Sequence, residues 1–355
     1  MLGTSSVKMM TYVYALTFVF SLVLFTETIK ADPIDDRFRM LYSKNIKCDH
    51  DRSLNLDVNE TQIYFYDFVN NINITSKIDG AAELLKRSIE LDHSRRLIVF
   101  VPGYKSHINK ELEELARQTF RNVTNAYLVI VDHSAYTFEN KDKLESYLRS
   151  VRYSYYIGNI LGKFFANVSS GTFSSDNIHC IGHSLGSHML AYAGETFTDI
   201  TKKKLSRITG LDPAGPCFSD SKIEEQIRSG VAKYVEVSHC NTGHFGTTKT
   251  IADTDFFFNY EGKVQPNCDK DNVEETEKCY HKACVKYYMK TVHNPELYLA
   301  RSCASYKDFK EGMCEDNETA IVGYYNPGNA RGIFYVSTDQ NGNKWKNANK
   351  KLKLT

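Results

Sequence analysis

The stretch from Ile178 to Gly194, IHCIGHSLGSHMLAYAG, sets a serine between two glycines as Gly182-His183-Ser184-Leu185-Gly186. A bare G-x-S-x-G is a weak signal, because an ordinary turn at the end of a strand also produces it. Its surroundings are more demanding. Asn177 to Ile181 reads as a short apolar strand, and Leu185 to Thr196 carries small and apolar residues at helical spacing. Strand, sharp turn and helix form the setting of a nucleophile elbow. There the turn lifts a serine oxygen above a sheet, and glycines clear the space that the tight backbone demands. A chain built around such a unit is expected to be α/β.

The remaining sequence agrees with that class. The runs Gln62 to Phe68, Leu97 to Val101, Leu128 to Val131, Ile178 to Ile181, Ile208 to Leu211 and Val235 to Val237 are short, apolar and β-rich. Between them Ala81 to Glu90, Lys110 to Thr119, Ser146 to Phe165 and Leu185 to Thr196 have helical patterning. This alternation predicts a mostly parallel sheet with helices on both faces. Function in such sheets gathers at the carboxyl ends of the strands. Leu97 to Val101 leads into Pro102-Gly103-Tyr104, and Ile208 to Leu211 leads into Asp212-Pro213-Ala214-Gly215-Pro216. Asp212 is placed either as a turn residue that accepts backbone hydrogen bonds or as a rigidly held functional acid.

With 355 residues, 42% of them hydrophobic, the chain can bury a full core, and its formal charge of +1 gives no reason to expect nucleic acid or an anionic membrane as partner. Residues 1–31 stand apart. Lys8, the apolar run Tyr12 to Phe25 and Ala31 before Asp32-Pro33 predict a secretory signal peptide cleaved near Ala31, too short in its apolar part to span a bilayer. Residues 32–355 are then expected to be one extracellular domain. Five N-x-[ST] sequons, at Asn59, Asn73, Asn122, Asn167 and Asn317, suit a secreted glycoprotein. The nine cysteines suit an oxidising compartment, and the lack of any C-x-x-C pair argues against structural zinc. An odd count leaves at least one thiol over, and Cys180, inside the apolar strand before the elbow, is the candidate.

If Ser184 is a nucleophile on this fold, an acid and then a histidine should follow it along the chain. Asp212 comes 28 residues later. Five histidines follow the elbow: His188, His239, His244, His281 and His293. His188 lies one turn into the elbow helix and points away; His239 ends a strand and reads as a packed residue. His244 and His293 lie in loops without an obvious anchor. His281 sits between Cys279 and Cys284, just before the apolar helix VKYYMKTV, and is favoured by its position and covalent anchoring.

At this point the sequence resembles the pancreatic-lipase-like lipases, and among them the secreted phospholipases A1 of insects, including those of wasp venoms. The matching motifs are GHSLGSH at Gly182 to His188, ITGLDPAGPCF at Ile208 to Phe218 and DFFFNYEGKVQPNC at Asp255 to Cys268. CYHKACVKYY at Cys279 to Tyr288, CASYKDFKEGMC at Cys303 to Cys314 and NARGIFY at Asn329 to Tyr335 match as well. The resemblance implies an α/β-hydrolase fold with Ser184 as nucleophile, Asp212 as orienting acid and His281 as base. It implies an oxyanion hole at the backbone N–H groups of Tyr104 and Leu185, and disulfides Cys268–Cys279 and Cys303–Cys314. The partners of Cys48, Cys180, Cys217, Cys240 and Cys284 stay open. Two positions depart from the family pattern. Pro102-Gly103-Tyr104 replaces a usual His-Gly-Phe, and His133 stands where a tryptophan is usual.

The resemblance also bears on substrate. The Cys268 to Cys279 segment matches the family's lid, and the ten residues inside it, DKDNVEETEK, carry five acids with Val273 as the only strong hydrophobe. Such a lid lacks an apolar underside and should stay open and solvated. The His239 to Asp255 loop is short too, and in this family that combination accompanies phospholipase A1 activity. Sn-1 hydrolysis of phospholipids at a membrane or micelle surface is therefore expected, by a monomer without colipase. The alternatives are a neutral-lipid lipase and a non-catalytic relative resembling insect yolk proteins. The chain ends about twenty residues after Tyr335, so the family's C-terminal β-sandwich is not expected. In SDSKIEEQIRSGVAKY, Ser219 to Tyr234, the acids of the family's calcium site do not line up, so no metal or cofactor is expected.

Overall fold

The computed structural model describes residues 47–88, 91–171, 173–268 and 272–338. The expected signal peptide, the lysine-rich tail and part of the lid segment (269–271) lie outside the described residues.

Four buried runs form the middle of a sheet. They are β3 (Arg96–Val101), β5 (Ile178–His183), β6 (Arg207–Leu211) and β7 (Tyr234–His239), and all of their residues but Arg96 are buried. Continuous apolar runs of this kind need cover on both faces, which helices after each strand supply. β4 (Ala126–Asp132) lies beside β3. β8 (Thr254–Phe258) follows β7, and β11 (Gly332–Val336) pairs with β8; all of these neighbours run parallel. Antiparallel strands close both margins. β1 (Gln62–Asp67) and β2 (Ile72–Lys77) flank β4, while β9 (Leu299–Ser302) and β10 (Thr319–Ile321) flank β11. Among the described residues the sheet has 11 strands, in the order β10-β9-β11-β8-β7-β6-β5-β3-β4-β1-β2.

The expected helices are present as α1 (Ile78–Ser88), α2 (Glu111–Phe120), α3 (Lys143–Val168) and α4 (Leu185–Thr201). α4 is the elbow helix, and glycines let α3 press against it. A Cβ on Gly158 would meet the Met189 carbonyl oxygen at 2.4 Å, and one on Gly162 would meet that of Ala193 at 2.6 Å. A fifth helix, α5 (Val273–Thr291), corrects one reading. His281 does not precede a helix; it lies in the middle of one. The helix starts early because the Asn272 side chain accepts the backbone N–H of Glu275, an N-cap, and Glu274 and Glu275 suit the positive end of the helix. Among the described residues no helix is long and apolar enough to cross a membrane.

Four disulfides are present. Cys268–Cys279 and Cys303–Cys314 form as expected, and the open set resolves into Cys48–Cys217 and Cys240–Cys284. Cys180 is left as a buried thiol on β5, where burial pushes its ionisation far up, so it is inert packing. Of the sequon asparagines, Asn59, Asn73, Asn122 and Asn317 are exposed, whereas Asn167 is half-buried and accepts a hydrogen bond from Lys86 at 2.5 Å.

Of the five buried histidines among the described residues, four sit on or beside the central strands with a lowered pKa: His133, His179, His183 and His188. Burial lowers the pKa of each, for His188 to about 3, so they fold as neutral imidazoles. In the unfolded chain they titrate near the ordinary value of about 6.5. Below that pH the unfolded state binds more protons, and stability is lost as pH falls. Glu113, raised by its burial, acts in the opposite direction as a single group. The denaturant midpoint is therefore expected to drop steadily from pH 7 to pH 5. A flat midpoint across that window would contradict the neutral-histidine core.

Candidate active site

The carboxyl ends of β3, β5 and β6 meet at one place. Ser184 joins β5 to α4 with φ 55° and ψ −123°, a left-handed backbone that non-glycine residues adopt only when their surroundings enforce it. The enforcement is visible. A Cβ on Gly186 would lie 2.1 Å from the Val101 carbonyl oxygen, and one on Gly103 would lie 2.7 Å from Ser184 Cβ. The start of α4 is thus pressed onto the turn that follows β3. This contact also brings Gly103-Tyr104 beside the serine. Neither the N–H of Tyr104 nor that of Leu185 donates to an acceptor among the described residues. Free amides at a helix start and a facing turn make an anion-binding corner.

Asp212 follows β6 with φ 46° and is completely buried. Its Oδ1 accepts the backbone N–H groups of Cys240 at 2.7 Å and Asn241 at 2.9 Å. Its Oδ2 lies 2.5 Å from Nδ1 of His281. One oxygen thus accepts backbone hydrogen bonds, as a turn aspartate does, and the other meets a histidine side chain. The His281 side chain is 13% exposed and packs on the ring of His183, the residue before Ser184, at 4.6 Å. The serine hydroxyl makes no hydrogen bond among the described residues. Catalytic hydrogen bonds often tighten only around substrate.

The other histidines are occupied elsewhere. His188 stacks on Phe218 and donates from Nε2 to the Ala214 carbonyl while its Nδ1 accepts from Ile227. His239 is buried against Asp255 at 2.8 Å and stacked on Phe257. His244 is exposed near Glu277, and His293 bonds the Thr119 carbonyl at the far end of α5. Sequence reasoning missed His183, the residue just before Ser184. Its Nε2 lies 3.2 Å from the carbonyl oxygen of His281, and its ring packs on the His281 ring at 4.6 Å. Among the described residues no group of three His, Cys, Asp or Glu side chains is arranged to hold a metal ion.

Residues 40–343 match the model of the lipase family, described as Lipase. The chain belongs to the lipase family. It is 33% identical to horse (Equus caballus) pancreatic triacylglycerol lipase over half of this chain and 44% of the relative (50% and 44% covered). It is 36% identical to human (Homo sapiens) pancreatic lipase-related protein 2 over 40% of this chain and 33% of that one. Mouse (Mus musculus) lipase member H is 35% identical over 44% of this chain and 34% of its own. The chain thus spans less than half the length of these relatives.

In this lipase-family chain His133 and the Pro102-Gly103-Tyr104 turn touch each other. His133 is buried after β4, and its Nε2 lies 3.0 Å from the carbonyl oxygen of Pro102, while Nδ1 lies 2.8 Å from the Thr137 hydroxyl. A neutral imidazole that donates from Nε2 and accepts at Nδ1 satisfies both contacts. The histidine therefore anchors the Pro102-Gly103-Tyr104 turn from below. A cavity of about 1280 Å³, lined by Glu114, Lys286, Tyr287 and Lys290, lies against the face of α5 opposite His281 and is not the serine's cleft.

Replacing the ring while keeping its bulk isolates the anchoring bond. His133→Phe leaves the Pro102 carbonyl without its donor, and a loss of about 1–3 kcal/mol in unfolding free energy is expected. Denaturant unfolding reads it, and an unchanged midpoint would show that the ring only fills space.

Proposed function

We propose that this lipase-family chain is a secreted serine ester hydrolase that cleaves the sn-1 acyl ester of phospholipids. The observation that carries the reading is the 2.5 Å contact of His281 Nδ1 with the buried Asp212 carboxylate, beside a serine on a strained elbow. Asp212 accepts a hydrogen bond from the Nδ1–H of His281, holding the proton on that nitrogen and leaving Nε2 free as the base. His281 takes the Ser184 hydroxyl proton as the oxygen attacks the acyl carbonyl. The oxyanion forms against the N–H groups of Tyr104 and Leu185, a contribution worth orders of magnitude in rate. His281 then returns the proton to the leaving glycerol oxygen, and water hydrolyses the acyl-serine by the same steps in reverse order. The four disulfides and the exposed sequons suit an extracellular glycoprotein.

The choice of phospholipid rests on the described half of the lid segment. Its residues from Val273 onward are helix, and Val273 is 63% exposed. Glu274 and Glu275 pair with Lys278 at 2.6 and 2.8 Å, which keeps this surface polar. A cleft bordered in this way accommodates a charged head group more readily than a greasy cap would. The second reading, a triacylglycerol lipase, draws on the name of the horse relative.

One assay separates the readings. Phosphatidylcholine labelled separately at its two acyl positions is incubated with the protein, with triolein alongside and Ser184→Ala as the blank. The sn-1 label should be released faster than the sn-2 label and faster than oleate from triolein, and Ser184→Ala should lose several orders of magnitude. Preferred triolein cleavage would overturn the phospholipid reading, and full activity in the blank would overturn the serine mechanism.

A further inference from the structure

Three residues on α5, Glu277, His281 and Cys284, are spaced i, i+4 and i+7 and form one stripe along the helix. All three engage the same short segment after β7. His281 meets the carboxylate that Cys240 and Asn241 hold, the Asn241 amide donates to Glu277 at 2.5 Å, and Cys284 is bonded to Cys240. Cys240 stands at the centre of this contact. Its N–H donates to Asp212, its carbonyl accepts from Gln265 Nε2 at 2.9 Å, and its sulfur reaches α5 one turn beyond His281. Cys240 and Cys284 are 0% and 1% exposed.

The segment beyond Cys240 is braced as well. Asn259, Tyr260, Glu261 and Gly262 have φ of 44°, 35°, 60° and 72°, a full left-handed turn that includes three non-glycine residues. The Gly262 carbonyl accepts the Thr242 N–H at 2.8 Å, and the Glu261 carbonyl accepts the Thr242 hydroxyl at 2.9 Å. Gln265, which clamps Cys240, is itself held by Asn259 at 2.8 Å. Strained backbone that survives among buried partners marks a place where geometry matters.

We infer that Cys240 is a positioning residue for the acid–base pair, and that its disulfide to Cys284 welds the Asp212-holding segment to the helix that carries His281. The inference rests on the triad reading given above. Its physical content is a division of labour. The 44-residue span closed by Cys240–Cys284 contains the lid segment, which feeds directly into the first turn of α5. Displacement at that end of the helix would travel to His281, two turns on, unless the helix is held near the histidine itself. Cys284 holds it there.

The test compares Cys240→Ala/Cys284→Ala in the full chain with Cys303→Ala/Cys314→Ala, which removes a disulfide remote from the serine. Turnover of a soluble short-chain ester is measured with the far-downfield proton NMR signal of the His281 Nδ1–H, which reports the Asp212 contact whether or not the protein turns over. In the first variant kcat should fall on the order of tenfold to a hundredfold with KM within about twofold, and the downfield signal should broaden or vanish. The second variant should keep both. Gln265→Met, which retains every disulfide and frees the Cys240 carbonyl, should lower kcat several-fold in the same direction, and it decides the matter if the double variant does not fold. Wild-type kcat and an intact downfield signal in the folded Cys240 variant, or in Gln265→Met, would overturn the inference. A wild type that is inert yet keeps the signal would overturn the hydrolase reading alone, because the signal still reads the positioning.

Discussion

A carboxylate with no solvent exposure must be satisfied from within, and the arrangement around the elbow follows from satisfying Asp212. Two backbone amides, those of Cys240 and Asn241, fix one oxygen and leave the other for a single donor, the His281 imidazole. Those amides point at Asp212 only because the segment after β7 is turned back against the end of β6, where the Asp212 N–H donates to the Ser238 carbonyl at 2.7 Å. The Ser184 N–H in turn donates to the Leu211 carbonyl at 3.2 Å. Serine and aspartate are thereby held on adjacent strand ends, and α5 delivers the histidine to the aspartate.

Much of this was legible in the sequence because the informative features are local. The elbow is a contiguous strand, turn and helix, and Asp212 directly ends an apolar run. The central strands and α1 to α4 came from apolar periodicity, which burial on both faces makes strong. Among the strands at the margins only β1 is legible, and the others escape for the opposite reason. β2 alternates between exposed and half-buried residues, and β9 and β10 are only 4 and 3 residues long. Their pairing comes from neighbours distant in the chain, as with β11 against β8.

Order along the chain singles out His281, which the structure sets against Asp212, but the sequence places it before a helix and not within one. DKDNVEETEK looked like a loop because five acids mask the helix start, although Asn272 and the acids behind it are a capping signal. Continuing the helix back through that segment puts Glu277, His281 and Cys284 on one stripe and makes Cys240 a natural partner for Cys284. The contact between His133 and Pro102 could not be read in advance, since 31 residues separate them. It gives the carbonyl of Pro102, in the turn after β3, a buried imidazole donor.

Asp212→Asn tests the central claim most directly. The amides of Cys240 and Asn241 can still bind the remaining carbonyl oxygen, so the fold should survive, but an amide facing His281 presents a donor and stabilises the wrong imidazole tautomer. With thermal unfolding close to that of the wild type, kcat on a soluble ester should fall by roughly 10⁴-fold. A folded variant whose kcat stays within about tenfold of the wild type would contradict the account of Asp212 as the group that orients the base.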